Sequence, residues 1–279
     1  MAELIGKQGE LEDLSPKRRE LLELMLRQRR EARKDSEQRG AAGAIPRRPA
    51  GAEPVLSFGQ RRLWFIEQLQ PGSAAYHVPG AVRMQGELDC AVLARALSEV
   101  GRRHEILRTC YPVVGGEPTP EVDEEPKLEL LEEDLRQVPE SEREEELARR
   151  VDAAVLTPFD LSRPPLARTH LFRLRDDEHV FLLILHHIIS DIWSIGVFFR
   201  NVTAIYDALL EGDGSPLPEL PIQYADYAAW QQELLFGQSL DDLLGFWKEH
   251  LAGAPTVLDL PTDHPRPAVQ SFSGGRRYM

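Results

Sequence analysis

The stretch Val180-Phe-Leu-Leu-Ile-Leu-His186-His187-Ile-Ile-Ser190-Asp191-Ile192-Trp193 decides how the rest of the chain is read. Its first six residues are apolar without alternation, so a strand there is covered on both faces and sits inside a sheet. That strand runs into two histidines, a tight turn and an aspartate. Beyond Asp191 the spacing predicts a helix to about Leu210, stopped by Gly212. Upstream, Leu166 to Leu174 is a second strand pattern, and Arg175-Asp-Asp-Glu joins the two as an antiparallel hairpin. A buried strand feeding a helix through a polar turn is an α/β pattern.

Neighbouring strand residues point to opposite faces, so only one of His186 and His187 can face a given site. An imidazole accepts or gives a proton near neutral pH, which suits work on an attacking amine or hydroxyl. Asp191 can orient the turn by hydrogen bonds or pair with an arginine. Two blander readings stay open from the residues alone. One is a pair of packed histidines followed by an ordinary helix cap. The other is a metal held by two histidines and an aspartate, disfavoured because the two rings diverge and no further ligand cluster is evident. A Gly-x-Ser-x-Gly elbow and a Gly-rich phosphate loop are both absent.

Outward from this centre, strand and helix signals alternate. Ser57-Phe-Gly-Gln60 is a capping box opening a helix through Leu69. Ala81-Val-Arg-Met alternates like a strand. Asp89 caps a helix whose Val92, Leu93, Ala96, Leu97 and Val100 share one side, and Gly101 ends it. Leu107 to Tyr111 reads as a strand turning at Gly115-Gly116. Residues 121 to 150, crowded with Glu, read as a solvated helix, with Ser141 and Glu144 as a second capping box. Two helices, about Tyr224 to Leu235 and Ser239 to Leu251, follow a Pro-rich connection. The fold class expected is α/β with a mixed sheet flanked by helices.

Composition narrows the function. The 279 residues hold 33 Lys and Arg against 46 Asp and Glu, a net charge of −13, and 42% are hydrophobic. An acidic chain is poorly suited to tracking a phosphate backbone, so no nucleic-acid partner is expected. No apolar run is long enough to span a bilayer and no signal peptide is evident, so a soluble, cytoplasmic protein is expected, without a membrane partner. Cys90 and Cys110 cannot form a disulfide framework. The first 50 residues differ from the rest: 12 Lys and Arg against 9 Asp and Glu give +3, leaving −16 for the remainder. Ser15-Pro16 caps an amphipathic helix to about Arg33, and Gly40 to Gly51 reads as a flexible tether. The expected division is residues 1–39 as an amphipathic docking or linker segment, 40–52 as a flexible linker, 53–235 as the main lobe, and 236–279 as a connection onward.

Four segments, in order, resemble the motifs of nonribosomal peptide synthetase condensation domains. They are Leu56-Ser-Phe-Gly-Gln-Arg-Arg-Leu-Trp-Phe65, Arg103-His-Glu-Ile-Leu-Arg-Thr109, His186-His187-x-x-x-Asp191 and Tyr224-Ala-Asp-Tyr-Ala-Ala-Trp-Gln231. Ser73-Ala-Ala-Tyr-His-Val-Pro79 is similar to the wording of the subtype joining two L-residues. The resemblance implies a chloramphenicol acetyltransferase-like lobe, one of two flanking a tunnel. It implies an amide-forming acyltransferase that binds no cofactor of its own. Donor and acceptor carrier-protein domains would present thioesters on phosphopantetheine arms, and residues 1–39 would meet an upstream synthetase subunit. By resemblance His187 is the catalytic residue, orienting or deprotonating the amine or stabilising charge. His186, Ser190, Asp191, Ile192 and Trp193 would shape the site, with Arg108 in a salt bridge to Asp191. The chain departs from the family in two ways. Ile192 stands where the family has glycine, which would permit an unusual backbone angle and leave room beside the ring. The later motifs are also lacking, which leaves a second reading: a non-catalytic docking platform for carriers or subunits, or an inactive remnant.

Overall fold

A computed structural model describes residues 45–49, 51–125, 128–236, 238–258, 260–265 and 268. The helix expected to about Arg33 and the first part of the tether lie outside the described residues. From Arg47 onward the chain forms one unit, built around a four-stranded mixed sheet.

The sheet order is β1-β8-β7-β6, with β1 at His77–Gln85, β6 at Leu130–Asp134, β7 at Ala167–Arg175 and β8 at Glu178–His186. Strand β8 is antiparallel to both neighbours, and β6 joins β7 in parallel. All nine residues of β8 are buried, as its unalternating apolar run predicts for a strand covered on both faces. The hairpin turns through Asp176 and Asp177, and Arg136 clamps it by pairing with Asp134 and Asp176.

Helix α1 (Phe58–Leu69) opens with the expected capping box, and helix α2 (Cys90–Arg103) is capped by Asp89, which accepts from the Val92 N–H at 3.0 Å. Helix α2 packs against α4 (Ile192–Leu210), which lies across one face of the sheet. At Gly80 the backbone lets this helix come close: a Cβ there would sit 3.4 Å from Ile195 and 3.6 Å from Phe199. The opposite face carries α3 (Arg143–Leu156), whose Val155 carbonyl accepts from His77. Helices α5 (Tyr224–Leu234) and α6 (Gln238–His250) follow.

Four local expectations fail. Gly101 does not end α2. It is buried inside the helix, which stops at His104, because a terminating glycine works through a left-handed conformation that Gly101 does not adopt. Residues 121–150 are not one helix but hold β5 (Glu121–Val122), β6 and the start of α3. Helix α3 begins after Glu142 with no side-chain cap, so Ser141 and Glu144 form no capping box; Glu144, Glu145 and Glu146 sit instead in the first turn, where the positive end of the helix favours them. Of Leu107 to Tyr111 only β2 (Thr109–Cys110) is strand, pairing with the equally short β5; Glu105–Arg108 is a 3-10 turn, and Gly115-Gly116 turns between β3 (Val113–Val114) and β4 (Glu117–Pro118).

Candidate active site

Strand β8 delivers its two histidines to opposite sides of the sheet. His187 continues the ladder one residue past the strand by donating its backbone N–H to the Tyr76 carbonyl at 2.8 Å, so its position is fixed by the sheet. Its ring is exposed. The ring Nδ1 lies 2.7 Å from the Ser190 carbonyl oxygen. A carbonyl only accepts, so Nδ1 carries a proton, and in the neutral ring Nε2 carries the lone pair. The site therefore presents a fixed proton acceptor on a rigid support.

His186 turns the other way and is 1% exposed. Its Nδ1 accepts from the Ile188 N–H at 3.0 Å, and its ring packs edge-on to His77 and to Phe159, each 6.1 Å away. Burial first, then the neighbouring imidazoles of His77 and His187, push its pKa down to about 4. It is neutral at pH 7 and supports the turn. The turn closes on itself: Ile189 N–H and Ser190 Oγ–H both reach the His186 carbonyl, at 3.0 and 3.1 Å.

Asp191 caps α4, accepting from the Ser194 N–H at 2.8 Å and the Ser194 hydroxyl at 2.7 Å. These bonds hold its carboxyl below the usual carboxylate range. The expected salt bridge to Arg108 does not form. Arg108 instead donates through Nη1 to the Asp123 carbonyl, and Asp191 is already satisfied within its own helix start. Ile192 is the first residue of α4, so its backbone is helical and needs no glycine. The Ile192 and Trp193 side chains stand 88% and 76% exposed, so the isoleucine adds bulk in open space without straining the turn.

Sequence reasoning missed what braces this turn from below. Gln60, 4% exposed, completes the α1 capping box with its Oε1, accepting from Ser57 N–H at 3.0 Å. Its Nε2 donates to the Tyr111 hydroxyl at 2.7 Å and to the Ile188 carbonyl at 3.2 Å. Ser57 Oγ in turn lies 2.9 Å from the Tyr224 hydroxyl. One buried amide thus ties α1, the residue after β2 and the histidine turn together, and α5 joins through Ser57. The capping box was a visible signal; the second use of its glutamine was not.

The model of the family described as "Condensation domain" matches residues 52–279. The chain belongs to the condensation-domain family. As a condensation domain it is 44% identical over 265 residues to phosphinothricin tripeptide synthetase PhsC of Streptomyces viridochromogenes, covering 95% of this chain and 24% of that one. Among solved structures it is similar to the X-domain in its complex with OxyB from teicoplanin biosynthesis, with TM-score 0.70 and 32% identity over 81% of this chain and 49% of that chain. It also resembles the first condensation domain of the calcium-dependent antibiotic synthetase with a substrate analogue, TM-score 0.66 and 25% identity over 74% of this chain and 49% of that one. The chain thus spans about a quarter of that synthetase and about half of each solved chain. The mixed sheet flanked by helices is the chloramphenicol acetyltransferase-like fold that the resemblance implied. Among the described residues no helix is long and apolar enough to cross a membrane.

Proposed function

We propose that this domain forms peptide bonds between carrier-bound thioesters in nonribosomal peptide synthesis, with His187 as its catalytic residue. The observation that carries the reading is the fixed tautomer of His187, whose exposed Nε2 holds a lone pair. The acceptor amine attacks the donor thioester carbonyl; the C–N bond forms as the C–S bond breaks and the donor's thiol leaves. Nε2 takes or orients the amine proton, which then returns to the departing sulfur. Donor and acceptor substrates arrive on the phosphopantetheine arms of carrier domains, and the domain brings no cofactor of its own. His186 and Ser190 hold the turn, Asp191 starts the helix, and Ile192 and Trp193 border the approach. Residues 1–39 serve as a docking segment for an upstream subunit, 40–52 as its tether, 53–235 as the lobe and 236–279 as the link toward a second lobe. The work is placed in the cytoplasm.

The test mixes loaded donor and acceptor carriers with the chain, and with the chain continued to the length of the solved condensation domains. Dipeptidyl product should form with the wild type and fall about 10²- to 10⁴-fold in His187→Ala, with carrier affinity unchanged. An equal rate in the variant removes His187 from the chemistry.

A second reading has one observation in its favour: at 32% identity the chain resembles an X-domain whose solved structure is a complex with another protein, OxyB. Under that reading the same surface recruits a partner and makes no bond. Saturable carrier binding with no product from wild type or variant, in the longer form as well, would establish it.

A further inference from the structure

Beside the His187 turn lies an apolar cavity of about 140 Å³. Ile106, Leu185, Ile189, Val197 and Phe198 supply most of its wall, from the 3-10 turn, β8, the histidine turn and α4. Leu185 precedes His187 by two positions, so the cavity opens on the face toward which that histidine points. Ser190 belongs to both structures: it lines the cavity, and its carbonyl fixes the His187 ring. The wall carries no charge. His104, its one titratable member, lies 2.7 Å from the Asn201 amide through Nε2, and burial pushes its pKa down to about 4.

Size settles what such a space can hold. Pockets for whole small ligands run to roughly 300–1,000 Å³, and this one is too small for an aminoacyl-pantetheine. An apolar cavity of about 150 Å³ takes benzene and stays free of water. The space matches one aliphatic or phenyl side chain. A charged side chain would lose its hydration with no opposite charge in the wall, and an indole would not fit.

We infer that this cavity is a specificity pocket for an aliphatic or phenyl side chain of an aminoacyl thioester reacting at His187. The inference rests on the condensation reading and adds the class of residue the domain accepts. Either the donor or the acceptor residue could place its side chain there, since both meet at His187.

The test titrates the full chain with N-acetylcysteamine thioesters of L-leucine, L-phenylalanine, L-tryptophan, L-aspartate and glycine, followed by NMR of the Ile106, Leu185 and Val197 methyl groups. Leucine and phenylalanine should bind about 10- to 100-fold more tightly than glycine, and aspartate and tryptophan no better than glycine. Val197→Phe, which fills the space, should erase that preference while leaving glycine binding as it was. Ile106→Ala should extend the preference to tryptophan, a gain that a damaged fold cannot imitate. N-formyl-leucyl thioester, unable to act as acceptor, reports the donor arm; the free-amine thioester also reports the acceptor arm. Equal affinity for leucine and glycine overturns the pocket and leaves the condensation reading intact. Toluene shifting these methyl groups while no thioester binds overturns the condensation reading instead, and this inference falls with it.

Discussion

His186 and His187 are one peptide bond apart and share a side-chain chemistry, yet the fold gives them opposite fates. The first lies against His77 and Phe159 on the α3 face, neutral and sealed. The second is exposed, its tautomer set by the Ser190 carbonyl. The difference comes from strand alternation alone: a strand buried on both faces sends successive residues to different environments. A doubled histidine at such a strand end is therefore one packed residue and one exposed residue, and the two are separable by experiment.

The sharpest way to break this contrast is to truncate each ring in turn and measure unfolding in urea. His186→Ala removes a buried ring and the acceptor for the Ile188 N–H, so it should cost about 3–4 kcal/mol. His187→Ala removes an exposed ring and should change stability by no more than about 0.5 kcal/mol. Equal losses would mean that both rings serve packing.

Acid should sharpen the same contrast. A free histidine titrates near 6.5, and the fold holds His186 and His104 at about 4, with His77 also lowered. Between those values the unfolded chain binds more protons, so stability is full above about pH 6.5 and falls as pH drops toward 4. Each of the two deeply shifted rings contributes on the order of 3 kcal/mol across that window, at about 1.4 kcal/mol per pH unit. His186→Asn keeps an acceptor for the Ile188 N–H but cannot titrate. Its stability curve should be shallower by about one proton between pH 6.5 and 4. An unchanged slope in His186→Asn would show that burial does not govern that ring.

The brace below the turn ranks next. Gln60→Ala leaves the Tyr111 hydroxyl and the Ile188 carbonyl buried without their donor, which should cost about 2 kcal/mol. Gln60→Glu keeps the shape and an acceptor for Ser57 N–H but offers no donor to Ile188, and should recover less than half of that loss. Full recovery would place the effect in packing and not in the hydrogen bonds.

What the sequence could and could not disclose follows the range of the interactions. Strand β8, the hairpin and the caps at Ser57, Asp89 and Asp191 were readable because each depends on neighbours a few positions away. The opposed histidines were readable for the same reason. Gln60 was legible only as a cap, since its other partners lie 51 and 128 positions further along. The cavity beside His187 is assembled from four separate elements, and no local pattern announces it. Ser141 and Gly101 misled because their local rules were overridden: a turn through Pro139 sets where α3 begins, and packing carries α2 past its glycine.

The smallest effect tests the one site contact that the sequence suggested and the fold does not make. Asp191 and Arg108 belong to separate motifs, and a salt bridge between them was the natural expectation. In the fold Asp191 caps α4 through Ser194, and Arg108 donates to the Asp123 carbonyl. Asp191→Ala should then cost about 1 kcal/mol, the loss of a helix cap. Asp191→Asn should recover most of it, since an amide oxygen also accepts from the Ser194 N–H. Arg108→Ala should cost its own amount independently, and the double variant should equal the sum within about 0.5 kcal/mol. A buried, hydrogen-bonded ion pair behaves differently, because removing either partner strands the other and the double loss is much smaller than the sum. A coupling energy above about 1 kcal/mol in this cycle would restore the salt bridge. It would also make the turn a charge-locked element, where the present structure makes it a helix start held by one serine.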